Sequence, residues 1–176
     1  MRVIGLAGWS GAGKTTLMRR LIPTLTTRGQ RVSTVKHAHH SFDVDTPGKD
    51  SWEHRQAGAT EILVASSLRW ALMHELRNET EPGLPALLAR MSPVDMVLIE
   101  GFKREAHPKI EVYRAANAKP LLHPSDPSII AVAADVTLEG LAIPLVHLDD
   151  IEQIADIAQA CALPIDSIDW GIRFDG

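Results

Sequence analysis

Cysteine is nearly absent from this chain, which carries one thiol, Cys161, in 176 residues. A lone thiol excludes an internal disulfide and any metal site built from several thiolates, and it points to a reducing compartment. Aromatic residues are scarce as well, at 5%. Neither sign of charge dominates: 18 basic and 22 acidic side chains leave a formal net charge of −4. That balance excludes the basic footprint of a nucleic-acid binder. No apolar run approaches the roughly 20 residues of a membrane-spanning helix, so no membrane partner is expected. The N-terminal apolar stretch is cut short by a glycine-rich loop and Lys14, unlike a secretion signal. Together these absences predict a cytoplasmic protein. At 45% hydrophobic residues and without repeats or low-complexity tracts, the chain has the makings of one α/β core.

What is present starts with Gly8-Trp9-Ser10-Gly11-Ala12-Gly13-Lys14-Thr15. Gly, four residues, Gly-Lys and then Ser or Thr is the phosphate-binding loop pattern. Its glycines permit the positive φ and close approach that a backbone wrapped round phosphate needs. Gly8, Ser10, Gly11, Ala12, Gly13, Lys14, Thr15 and Thr16 would surround the anion at a helix start, where the macrodipole adds attraction. Lys14 would reach the outer phosphates, and the Thr15 hydroxyl would hold a bridging Mg²⁺. The apolar run Arg2 to Ala7 precedes the loop. Leu17, Leu21 and Leu25 follow it every four residues, so strand, loop and helix stand in the order the motif requires.

The first helix is expected to end near Gly29, with Pro23 kinking it or ending it early. Residues 31–36 read as a second strand, and His37 to Asp50 as a long loop. Asp50 and Glu53 resemble a capping box opening a short helix that ends near Gly58. Thr60 to Ala65 and Arg69 to Glu75 predict a hairpin, an antiparallel addition to an otherwise parallel sheet. Pro85 opens a helix to about Met91. Residues 95–101, 109–114, 128–135 and 145–148 read as strands, and Asp149 and Glu152 start a last helix whose inner face includes Ile151, Ile154, Ile157, Ala158 and Cys161. The whole is a single phosphate-loop nucleotide-binding domain over residues 1–176, mainly a parallel sheet with helices on both faces. Residues 163–176, with Trp170 and Phe174, form a turn-rich tail that would dock on a neighbour. Ligands of such sheets bind beyond the carboxyl ends of the strands.

Glu100 closes a strand of apolar residues, where phosphoryl chemistry wants a carboxylate beside Mg²⁺. With Lys14 it forms the expected catalytic pair; a merely solvated acid at the sheet rim is the alternative. His37, His39, His40, Asp43 and Asp45 offer nitrogen and oxygen ligands, but their spacing matches no zinc pattern. Polar residues on a solvated loop are the alternative; among binding roles an anion-facing or Mg²⁺-linked switch loop is preferred over a transition-metal site, with Asp45 as the magnesium ligand. Asp135 closes another apolar strand, and a carboxylate can accept both adjacent donors of guanine, which adenine lacks. The Asn-Lys-x-Asp signature is absent, so a turn cap competes with that reading. Trp9 would cover the loop or stack on a ligand, and Lys103 and Arg104 would form a solvated turn or meet an anionic second substrate.

The combination resembles the molybdopterin-guanine dinucleotide biosynthesis adaptor family, MobB type. The residues that carry the likeness are Gly8 to Leu17, Val35 to His40, Asp43 to Ser51, Ala65-Ser66 with Arg69 to Met73, Val97 to Lys103, and Ile130 to Asp135. It covers roughly residues 1 to 160 and leaves the tail from Leu163 unmatched. The resemblance implies a phosphate-loop GTP-binding protein that hydrolyses GTP weakly and works as a homodimer. It implies assistance to the guanylyltransferase that joins GMP to molybdopterin, with GTP and Mg²⁺ as ligands, molybdopterin as a further one, and other cofactor-handling proteins as partners. Weak turnover agrees with the lack of an evident arginine finger in cis, a group worth on the order of 10³-fold or more. Two rival classes stay open: a small-metabolite kinase, and a nucleotide-gated adaptor that does not hydrolyse.

Overall fold

The computed structural model describes residues 1–38 and 42–170. In chain order its elements are β1 (Arg2–Ala7), α1 (Lys14–Thr27), β2 (Val32–Lys36), α2 (Asp50–Gln56), β3 (Glu61–Ala65), β4 (Trp70–His74), α3 (Leu84–Leu88), β5 (Met96–Glu100), β6 (Lys109–Tyr113), β7 (Ile129–Ala134), β8 (Leu145–His147), α4 (Ile151–Cys161) and β9 (Leu163–Pro164). The chain divides into two compact units: one takes in Met1–His37 and the chain from Leu87 onward, the other Ala38–Ala86.

The first unit is built on a seven-stranded sheet in the order β2-β5-β1-β6-β7-β8, all parallel, with β9 antiparallel on the start of β1. Ile4 and Leu6 point to one face, where they join Leu17, Leu21 and Leu25 of α1 and Ile154 and Ala158 of α4 in one buried cluster. Val3, Val97 and Ile99 alternate to the opposite face and are just as buried, so both faces are covered. Continuous apolar strands such as β5 and β7 are the consequence.

Helix α1 runs through Pro23 rather than stopping there. Proline in a helix interior costs about 3 kcal/mol. The fully buried Leu21 and Leu25 on either side each contribute about 1.5–3 kcal/mol, which outweighs that loss. Two caps also fall elsewhere than the sequence suggests. Lys49, not Asp50, precedes α2, and no side chain caps it; Asp50 and Glu53 lie within the first turn. At α4 the cap is Asp150, which accepts from the Gln153 amide at 3.0 Å, because Asp149 is drawn away to Arg20 at 3.1 Å.

In the second unit the hairpin forms as expected, with Leu63 opposite Leu72 and Ala65 opposite Trp70. It stands as its own two-stranded sheet. The antiparallel strand added to the parallel sheet is β9 instead.

Candidate functional site

The loop between β1 and α1 lies at the carboxyl end of the central strand. Gly8 leaves β1 with φ 144°, and a β-carbon there would come within 2.5 Å of the Val112 carbonyl of β6, so no larger residue fits. Gly13 takes a left-handed conformation immediately before α1. No side chain caps that helix start. A helix end with uncapped first-turn amides and a positive dipole is an anion site.

The carboxyl ends of β2, β5 and β1 come level here, Lys36 and Leu6 both pairing with Glu100. The Thr15 hydroxyl donates to Glu100 Oε1 at 2.9 Å, and Lys36 Nζ stands 3.6 Å from the same oxygen. Glu100, expected at the magnesium side, is therefore joined to Thr15, and its side chain is only 13% exposed. A hydroxyl beside a carboxylate at this position is the hard oxygen donor set that Mg²⁺ takes. Lys14 Nζ folds back over the loop and donates to the Gly8 carbonyl at 2.9 Å and the Trp9 carbonyl at 3.0 Å. Burial holds its pKa below the ordinary lysine value, with Lys103 and Lys36 pushing the same way and Glu100 opposing.

Asp135 follows β7, two strands from β1. Its Oδ1 accepts from the Ala115 amide at 2.9 Å, and its Oδ2 stands 3.7 Å from Arg114 Nη1. Trp9 covers the loop: its indole N–H donates to the Pro120 carbonyl at 2.8 Å, while Lys103 and Lys119 lie over the ring, 5.3 and 5.9 Å from its centroid. His37 belongs to the same unit. Its amide donates to the Glu100 carbonyl at 2.9 Å and its ring rests on Phe102.

Asp43 and Asp45 belong to the second unit. Asp43 is paired with Arg55 at 2.6 Å, which holds its carboxyl below the usual carboxylate range. Asp45 Oδ1 accepts from the Thr46 amide and the Ser51 hydroxyl, while its Oδ2 is buried without a hydrogen-bond partner. His39 and His40 lie outside the described residues. Among the described residues no three His, Cys, Asp or Glu side chains gather into a cluster that could hold a metal ion by themselves.

Arg114 and Asn117, which the sequence reading does not single out, also lie against the loop. Asn117 Nδ2 donates to the Ser10 carbonyl at 3.1 Å. Their signal was positional only: Arg114 directly follows a strand that neighbours the phosphate-loop strand.

Residues 3–135 match the family model for molybdopterin guanine dinucleotide synthesis protein B. The molybdopterin-guanine dinucleotide biosynthesis adapter protein of Escherichia coli is 48% identical over 157 residues, covering 88% of this chain and 89% of that protein. Its namesake in Haemophilus influenzae is 41% identical, covering 89% and 87%. A crystal structure of molybdopterin-guanine biosynthesis protein B superposes with a TM-score of 0.70 at 28% identity, covering 90% of this chain and 98% of that one. The shared fold is that of the phosphate-loop NTPases. No helix among the described residues is long and apolar enough to cross a membrane.

Proposed function

The chain belongs to the molybdopterin guanine dinucleotide synthesis protein B family, and from that membership and the site geometry we propose a GTP-binding adapter for guanylation of the molybdenum cofactor. The observation that carries this reading is the Thr15–Glu100 pair beneath a glycine loop whose helix start has no side-chain cap. GTP phosphates would lie among the amides of residues 8–16, with Lys14 on the outer phosphates. Thr15 and Glu100 would hold Mg²⁺, which supplies charge neutralisation between the phosphates. Asp135 would read guanine: each carboxylate oxygen has two acceptor sites, so the Ala115 amide leaves room for both guanine donors. The ends of β1 and β7 stand two strand spacings apart, about 10 Å, so one nucleotide would extend over β6 from one to the other.

As an adapter, the protein would present GTP to a guanylyltransferase that joins GMP to molybdopterin, in the cytoplasm to which the single thiol points. Hydrolysis by Lys14 and Glu100 would be slow and secondary. The test is calorimetric titration with GTP and with ATP in Mg²⁺, alone and with molybdopterin and the guanylyltransferase. GTP-selective binding that tightens with the partner is expected. ATP turnover stimulated by a small hydroxyl compound would replace this reading with a kinase. Glu100→Gln should weaken the Mg²⁺ dependence of GTP binding about tenfold by removing a charged ligand. An unchanged magnesium titration would remove it from the metal site.

A homodimer belongs to the same reading. Hairpin residues Leu63, Trp70 and Leu72 share one face and are 62%, 66% and 48% exposed. A two-stranded sheet with one bare apolar face is marginal alone, and a second copy of that face would cover it. Sedimentation should show a dimer that Trp70→Lys converts to monomer; a wild-type monomer at micromolar concentration rejects it.

A further inference from the structure

The segment between β6 and β7 touches the phosphate loop along its length. Trp9 donates to Pro120, Asn117 donates to Ser10, and a β-carbon on Gly13 would come 3.0 Å from Arg114 Nε and 3.5 Å from Nη2. The same segment is tied at its other side to Asp135, through the Ala115 amide and the Arg114 guanidinium. Its turn, Ala115–Asn117, closes with Ala118 at φ 46°, a left-handed conformation costly for alanine and kept only where surrounding contacts hold it. One guanidinium thus lies on Gly13 at the helix start and faces Asp135, while the three contacts around it keep the turn in place.

We propose that Arg114 is a positioning residue for nucleotide selectivity: it couples the carboxylate that meets the base to the loop that meets the phosphates. This rests on the GTP-binding reading of the site. Asp135 Oδ2 is 3.7 Å from Arg114 Nη1, close enough for the ion pair to fix the carboxylate plane, yet long enough to leave that oxygen for a ligand N–H. With Oδ1 fixed by the Ala115 amide, the carboxylate presents a set orientation to a guanine edge. Removing the guanidinium frees the carboxylate to rotate and loosens the packing on Gly13. The loss is therefore larger for the nucleotide that uses Asp135 than for one that uses the phosphate loop alone.

The test is the GTP and ATP affinity of wild type, Arg114→Gln, Asp135→Asn and the double variant, by calorimetry in Mg²⁺, with thermal melting to establish folding. Arg114→Gln should lose about threefold to fivefold in GTP affinity, the worth of a partly exposed ion pair, and change ATP affinity less than about twofold. In the Asp135→Asn background the same substitution should leave the GTP-to-ATP ratio unmoved, which loosened packing alone would not produce. If Arg114→Gln fails to fold, Arg114→Lys is read in its place, because it keeps the charge and loses the planar fork. Equal losses for GTP and ATP would put Arg114 on the phosphates and overturn the coupling, as would unchanged GTP affinity. Wild type that binds neither nucleotide would overturn the GTP reading itself and this inference with it.

Discussion

Lys14→Ala should lower GTP affinity at least a hundredfold while leaving the fold intact. Two losses combine. The ammonium is the one cation carried by the loop itself, and contact with a phosphate oxygen is a charge-assisted bond worth about 1.5–3 kcal/mol. The same ammonium holds the Gly8 and Trp9 carbonyls at 2.9 and 3.0 Å, so its removal also releases the loop whose shape the phosphates need. A loss of about 3 kcal/mol corresponds to roughly a hundredfold in affinity. Lys103 and Lys36 do not replace it, since Lys36 is drawn to Glu100 and Lys103 lies over the Trp9 ring. Lys14→Arg should not restore binding either, because a planar fork does not fit where a compact ammonium bridges two carbonyls. Calorimetry with Mg²⁺ and GTP checks this, with circular dichroism to show that α1 persists. Affinity within threefold of wild type would mean that the phosphates do not meet this loop.

The part of the site legible in the sequence is the part made of neighbours along the chain. Eight consecutive residues encode the loop because each amide that would face a phosphate comes from the same turn, and Glu100 is legible because an acid ending an apolar strand must emerge at the sheet's carboxyl edge. The contacts that brace the loop are not legible. Ser10 and Asn117 are 107 positions apart, and Arg114 reaches Gly13 only because β6 pairs with β1. No local pattern announces that pairing. The same cause hides β9, whose two residues pair with β1 from the far end of the chain, and it hides the independence of the hairpin sheet. Alternation shows that β3 and β4 pair with each other, not which sheet they join. Both caps fall one residue from the acid the sequence offers: at α2 the helix starts a residue early, leaving Lys49 at the cap and Asp50 inside the first turn, and at α4 Asp149 pairs with Arg20 while Asp150 caps.

Acid should destabilise this protein steeply, and His107 should account for much of the effect. Its ring is fully buried, neither nitrogen has a hydrogen-bond partner, and it lies so close over Gly5 that a β-carbon there would come 2.4 Å from Nε2. Lys109, equally buried, donates to the Glu105 carbonyl, to Ser128 and to Asp126 at 3.3 Å, and it adds a cation nearby. Burial first, and Lys109 second, push the imidazole down to about 3 from its ordinary 6.5, against a smaller pull from Asp126. Above pH 6.5 the ring is neutral folded or unfolded, and it contributes no pH dependence. Between 6.5 and about 3 the unfolded chain takes a proton that the folded chain refuses, so stability falls as pH falls. The slope approaches about 1.4 kcal/mol per pH unit, reaching about 5 kcal/mol across the window. That is comparable with the whole stability of many domains, about 5–15 kcal/mol. His107→Phe keeps a flat ring over Gly5 and removes the proton site. Urea unfolding at pH 7 and pH 5 should show wild type losing about 2 kcal/mol more than the variant, the carboxylates common to both cancelling in the comparison. Parallel pH profiles for the two proteins would show that the ring is reached by water or hydrogen-bonded in the folded state.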